Sequence, residues 1–440
     1  MSGEPGAITR RTMAGALVAV AAATPIAAAA IAAPRRAPAG FLWGTAISAH
    51  QSEGGNTNSD VWLLENITPT LYKDRSGDAC DSYHRYGEDI ALNAALGFNC
   101  YRFGIEWSRI EPSPGVFSNA ELDHYARVLE TCHAHGQTPI VTYNHFTSPL
   151  WFAERGGWEQ ADAPDLFARY CERTTERLGP LIGMATTFNE ANVQLLAKVL
   201  ALLLPHTPVR AQMIAAARQA TGSERFSSLL YSDASISQPL LLEGHRKAYQ
   251  AMKTARPSLP VGISLTTQDI QAVGENSIAP QMEAELYGGW IEAARTHADF
   301  VGVQTYMRLL YDSQGWVPWP KGAEMTAAGY EFYPQALAAT IRWAHRTIGK
   351  PIYVTENGIG TDDDRRRIVF IDQALEGVRA CIDEGIPVHS YLYWSLLDNF
   401  EWSSGYDKHF GLVAVDLKTF RRSPKPSAHY LGRRAGLDLL

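Results

Sequence analysis

A closed (β/α)8 TIM barrel in a single domain is the fold this sequence predicts, and three observations predict it. Between Phe41 and Leu396, eight strand-like runs alternate with longer amphipathic stretches, in a repeated rhythm of strand, helix, glycine and strand. Parallel strands need such helical crossovers, and an eight-strand sheet can close on itself. The first strand is not followed by a glycine-rich phosphate loop, which argues against the runner-up, an open doubly wound sheet.

Residues 1–39 read as an export signal and linker, and residues 40–440 as the barrel domain. The paired Arg10 and Arg11 precede an alanine-rich apolar run from Ala14 to Ala33, with small residues Ala30 and Ala32 at a cleavage site. The arginine pair points to the twin-arginine route and to an exported protein, periplasmic or extracellular. An uncleaved membrane anchor is the rival, but Pro25 and the dominance of alanine over leucine weaken it. No membrane association is expected once the signal is cleaved.

The strands are drawn at Phe41–Ser48, Asn99–Ile105, Thr138–Asn144, Met184–Glu190, Pro260–Thr266, Ala298–Tyr306, Pro351–Asn357 and Val388–Leu396, where β-branched and aromatic residues concentrate. Between them, Leu122, Tyr125, Leu129 and Cys132 share one helix face, as do Ile368, Ile371, Leu375, Val378 and Ile382. Gly136 and Gly385 stand where helices must stop and supply left-handed C-terminal caps.

Composition excludes several function classes. Hydrophobic residues make up 46% and charged residues 19%, as in a globular protein with a large core. The net charge is −7 and no basic block lies outside the N-terminus, so nucleic acid is not an expected partner. The five cysteines are scattered without CxxC spacing, which indicates neither zinc nor a dense disulfide framework. Cys132 and Cys171 fall on apolar helix faces as free thiols, while Cys80 and Cys100 form a bridge candidate without further support. His133 and His135 face different sides of their helix, so no metal and no cofactor are expected. There is no GxSxG elbow for an esterase.

The chemistry is expected at two glutamates. YVTENG ends an apolar run with Glu356, and MATTFNE ends another with Glu190. In a barrel these lie at the carboxyl ends of strands seven and four, on the face where such folds carry their sites. Two carboxyls facing across one mouth at roughly 5–5.5 Å suit a retaining glycosidase, one as nucleophile and the other as acid and then base.

From about residue 40 to about residue 430 the chain resembles glycoside hydrolase family 1, the β-glucosidase family. The resemblance is carried by FLWGTAISAHQSEG, YHRYGEDIALNAALGFNCYRFGIEWSRIEP, TYNHFTSP, GGW, TFNEAN, YVTENGIG and YWSLLDNFEWSSGYDKHFGLVAVD. It implies hydrolysis of terminal neutral β-linked glycosides, chiefly β-glucosides, by double displacement. Glu356 would attack the anomeric carbon, supported by Arg102 and Tyr306, and Glu190 would serve as acid and base. Asn189 matches the residue that binds the sugar 2-hydroxyl. Gln51, His145, Tyr306, Glu401 and Trp402 match sugar-binding positions, with Trp394 as the stacking floor. Glu401 suits neutral hydroxyls and would repel a 6-phosphosugar. The substrate would be a small-molecule or oligosaccharide β-glycoside; oligomeric state is not legible. A transglycosylase of the same fold, or a carbohydrate-binding protein with reduced activity, are the alternatives.

Three departures from the family pattern bear on the site. Ala191 stands where proline usually follows the acid and is expected to loosen that loop, Phe146 replaces a tryptophan, and Gln304 and Thr305 replace asparagine and tyrosine before Tyr306. The segment 191–239 and the loop 308–333 are expected over the mouth. The loop carries Tyr311, Trp316, Trp319, Tyr330 and Tyr333, which would either stack an aglycone or a second sugar or pack on one another.

Overall fold

The structure, a computed structural model, describes residues 36–196 and 208–440. Its centre is a ring of eight parallel strands: β1 (Leu42–Ala46), β2 (Cys100–Gly104), β3 (Thr138–Asn144), β4 (Met184–Asn189), β5 (Val261–Ala272), β6 (Val301–Tyr311), β7 (Ile352–Asn357) and β8 (Val388–Trp394). Each pairs in parallel with its successor, and β8 returns to β1 with Leu42 opposite Ser390 and Ala46 opposite Trp394. The fold is therefore the expected (β/α)8 barrel. Every residue of β2 and β4 is buried, because the interior is packed and helices cover the outside. Such strands read as short runs rich in apolar, β-branched and aromatic residues, which is why their positions are visible in the sequence.

The helices follow the expected faces with one shift. Helix Asn119–Ala134 starts at Ser118, whose hydroxyl accepts the Glu121 N–H, and it buries Leu122, Tyr125, Leu129 and Cys132. It stops before Gly136, whose φ of +68° is the left-handed cap. In helix Asp364–Asp383 the buried stripe is Phe370, Ile371, Ala374, Leu375, Val378 and Cys381. Ile368 and Ile382 lie at its half-buried edges, so the true face is rotated slightly from the one drawn.

β5 runs six residues and β6 five beyond their expected ends. Ile270 pairs with Leu309 and Ala272 with Tyr311, and Trp316–Val317 adds an antiparallel turn to the same arm. Leu309, Leu310 and Tyr311 are buried there, so the first part of the expected loop 308–333 is strand. The cause is pairing between a mostly polar continuation of β5, TQDIQA, and the more apolar MRLLY of β6, each of which looks like loop when read alone.

Two further expectations change. Residues 36–39, assigned to the linker, belong with the barrel: the Ala37 N–H donates to the Asp438 carbonyl and Arg36 bridges to Leu439. Cys80 and Cys100 form no bridge, and all five cysteines are free and buried. Cys100 sits in β2 beside Ile140 and Met184, whereas the Cys80 thiol reaches the Asp398 carbonyl. The export reading of residues 1–39 otherwise lies outside the described residues. Among the described residues, no helix is long and apolar enough to cross a membrane.

Candidate active site

At the carboxyl ends of the strands lies a cavity of about 350 Å³. Nine of the residues singled out in the sequence line it: Gln51, His145, Asn189, Glu190, Tyr306, Glu356, Trp394, Glu401 and Trp402. The tenth, Arg102, lies beneath them on β2 and is fully buried. Three of the eight non-glycine residues with positive φ among the described residues, Phe146, Glu190 and Trp402, belong to this lining. Backbone held in that region is disfavoured for residues with a Cβ, and such positions cluster at functional sites.

Glu356 is held from two sides. Arg102 Nη1 donates to Oε1 at 2.5 Å and the Tyr306 hydroxyl donates to Oε2 at 2.7 Å. Burial pushes its carboxyl upward, and the guanidinium and both hydrogen bonds oppose that push. The second Arg102 nitrogen, Nη2, donates to Asn189 Oδ1 at 2.6 Å. Gln304 Nε2 donates to the same oxygen at 2.8 Å. With its oxygen taken twice, Asn189 presents its amide NH2 as the end left for a ligand.

Glu190 follows β4 and turns with φ of +46°, its N–H donating to the Ser264 carbonyl. Among the described residues no Lys or Arg forms an ion pair with it. Burial first, and then the charge of Glu356, hold its carboxyl well above the usual carboxylate range. Two buried carboxyls share one cavity, and the proton favours the one that Arg102 does not touch.

A third carboxylate sits across the cavity. Trp394 Nε1 donates to Glu401 Oε1 at 3.1 Å and Gln51 Nε2 to the same oxygen at 3.3 Å, while Ser48 orients Gln51 by donating to its Oε1. Burial pushes Glu401 up to about 8, against the hydrogen bonds from Trp394 and Gln51. His145 stacks between Trp394 and Trp402, at 5.6 and 6.2 Å between ring centroids. Burial, with the nearby Arg102 charge, lowers its pKa well below the usual value, so it is a neutral imidazole whose Nδ1 has no partner among the described residues. Among the described residues no group of three or more His, Cys, Asp or Glu could hold a metal ion.

The sequence profile described as glycosyl hydrolase family 1 matches residues 33–267 and 266–434. The chain belongs to glycosyl hydrolase family 1. It is 30% identical to beta-glucosidase A of Thermotoga maritima, over 90% of this chain and 97% of that protein. The barrel superposes on the apo structure of beta-glucosidase 1317 with a TM-score of 0.87 and 45% identity, covering 90% of this chain and 98% of that one. For the crystal structure of beta-glycosidase BGL167 the values are 0.86 and 47%, with 91% and 97% covered. The protein is thus an O-glycosyl hydrolase of the β-glucosidase kind.

Within this family 1 barrel the three departures have local explanations. The segment after Glu190 is pinned without proline: the Asn192 side chain exchanges two hydrogen bonds with the Thr266 backbone, and Gln238 Nε2 donates to the Ala191 carbonyl. The expected loosening is absent, since Ala191 is fully buried. Phe146 packs edge-on against Trp402 at 5.3 Å. Gln304 reaches Asn189, as described.

Of the five loop aromatics only Tyr330 lines the cavity. Trp316 packs on Trp319, whose indole donates to the Arg308 carbonyl, and Tyr333 covers the Arg308 guanidinium. The sequence left out Thr266, Val193, Leu196, Leu230, Tyr231 and Met307 as lining residues. Thr266 ends the fifth expected strand, so the strand-end rule that picked Glu190 could have found it. Leu230 and Tyr231 lie in a single 3-10 turn, Leu229–Tyr231, inside the segment 191–239 expected over the mouth, but neither carried a signal of its own.

Proposed function

We propose that this family 1 hydrolase is a retaining β-glycosidase that releases terminal neutral sugars, chiefly glucose, from β-linked glycosides by double displacement. The observation that carries the proposal is the unequal environment of two carboxyls in one cavity. Glu356, paired with Arg102 and Tyr306, is suited to be the ionised nucleophile. Glu190, whose proton is favoured by burial and by the Glu356 charge, is suited to protonate the leaving oxygen. When Glu356 becomes an ester its charge disappears, Glu190 gives up its proton more easily, and it can draw a proton from the incoming water. The Asn189 amide would meet the 2-hydroxyl, Gln51 and Glu401 the distal hydroxyls, and Trp394 the apolar ring face.

Two variants test the division of labour. Glu356→Gln should lose aryl β-glucoside turnover by about a thousandfold or more, with folding preserved because an amide can still accept from Arg102. Glu190→Ala should regain activity with azide on substrates that have good leaving groups and yield a glycosyl azide of retained configuration. Normal turnover by the first variant, or an inverted product from the second, would refute the mechanism. We further propose that the segment before the barrel, residues 1–35, directs export, which mass measurement of the protein secreted by its own host would test.

A further inference from the structure

The cavity has two chemically different sides. Besides Asn189, Glu190, Thr266, Tyr306 and Glu356 around the reacting centre, its polar groups Gln51, His145, Glu401 and Trp394 come from β1, β3 and β8 and the turns after them. The opposite sector, around β4 to β6, contributes Val193, Leu196, Leu230, Tyr231 and Met307. Four of these five are only half-buried, Leu196 being the exception: they pack on the core and leave part of each apolar side chain exposed where they line the cavity.

Apart from Asn189, Glu190 and Tyr306, the polar side chains of this sector among the described residues are already committed. Gln194 donates to the Leu229 carbonyl and the Ser232 hydroxyl, and its oxygen accepts from Ser237 and Gln238. Those bonds staple the turn after Glu190 to the segment 229–232, which brings Leu230 and Tyr231 beside Val193. Asn192 is used by the Thr266 backbone at both ends, and Gln268 by Thr266 and Tyr287. Arg308 is paired with Glu331 through two hydrogen bonds of 2.6 and 2.8 Å. Apart from the Asn189 amide, assigned above to the 2-hydroxyl, no amide or guanidinium among the described residues of this sector is left to read hydroxyls, and a second sugar bound there would leave its own hydroxyls short of partners.

We infer that the leaving group is apolar: the preferred substrate is a β-glycoside of an aryl or alkyl alcohol, not an oligosaccharide. This rests on the proposed glycosidase reading and specifies the other half of the substrate. An alkyl or aryl group against Val193, Leu230 and Met307 loses water from both surfaces, and the gain grows with each methylene.

Methyl and hexyl β-glucoside test this, because their leaving alcohols differ little in acidity and differ mainly in apolar surface. With the full-length protein, kcat/KM for hexyl β-glucoside should exceed that for the methyl compound by about tenfold or more, and should exceed that for cellobiose. Equal values for the two alkyl glucosides, or a preference for cellobiose, would overturn the inference. Val193→Thr, which keeps the side-chain shape, and Leu230→Asn should each lower the hexyl-to-methyl ratio by about threefold or more. An unchanged ratio in both counts against it. If no glucoside is turned over, the glycosidase reading falls separately. Calorimetry on Glu356→Gln then still decides the apolar wall, since hexyl β-glucoside must bind more tightly than methyl.

Discussion

Arg102 Nη1 lies 2.5 Å from Glu356 Oε1, and its other terminal nitrogen lies 2.6 Å from Asn189 Oδ1. One buried guanidinium on β2 therefore ties β7 to β4, and with them the proposed nucleophile to the residue that precedes the proposed acid. Lysine could not reproduce this fork.

Removing that cation should show in the pH profile. Glu356 works ionised, so activity is lost as pH falls through its pKa. Arg102 opposes the upward push of burial. Arg102→Gln should therefore move the acid limb of kcat/KM to higher pH and lower the plateau by about a hundredfold. Steady-state rates across pH on an aryl β-glucoside check this, and an unmoved acid limb would contradict it.

Glu190 works protonated, so activity is lost as pH rises through its pKa, which is held well above the usual range. Glu190→Gln cannot ionise and should lose this alkaline limb. A dinitrophenyl β-glucoside, whose leaving group needs no proton, lets the variant's first step be followed.

Gln304 is a positioning residue in this arrangement, since it helps fix the Asn189 amide without lining the cavity. Gln304→Ala should cost about tenfold in kcat/KM on a β-glucoside, and less than about threefold on the 2-deoxy analogue. Equal losses on both substrates would mean that Gln304 acts through general packing.

Glu401 makes stability depend on pH. Its pKa rises from 4.5 to about 8 on folding. Within that window the folded protein keeps a proton that the unfolded chain has released, so stability is full below about pH 4.5 and declines as pH rises toward 8. Glu53, raised to about 7, and Asp60, raised to about 6, add the same sign. Glu401→Gln should stabilise the protein at pH 8 by roughly 1–3 kcal/mol, with little change at pH 4, while weakening sugar binding. Thermal melts at the two pH values give the comparison.

The cysteines allow a simpler check. All five are free and buried, so a thiol reagent should count none in the folded protein and five after denaturation, and a reductant should leave the melting temperature unchanged.

Most of the barrel was legible because its strands are covered on both faces. Burial on both sides writes a run of apolar, β-branched and aromatic residues without charges, as in MATTF before Asn189 or IYVT before Glu356. β5 and β6 were misjudged at their ends, because Ile270 and Leu309 become strand only through each other. Glu190, Glu356, Asn189 and Tyr306 were legible for a related reason: closing the ring sends every strand's carboxyl end to one mouth. Leu230 and Tyr231 were not, because they reach the cavity through the hydrogen bonds of Gln194, a residue whose amide means nothing until its partners are in place.

By itself the sequence determined the alternation of strands and helices, hence the closed ring and the face on which its polar strand-end residues gather; periodicity and burial are local properties that a chain carries before it folds. Only the tertiary structure decided which carboxyl is favoured to hold the proton, where the Asn189 amide points and which side of the cavity is apolar. Those depend on distances between groups far apart in the chain, such as the 254 positions between Arg102 and Glu356, and electrostatics and hydrogen bonding answer to distance in space.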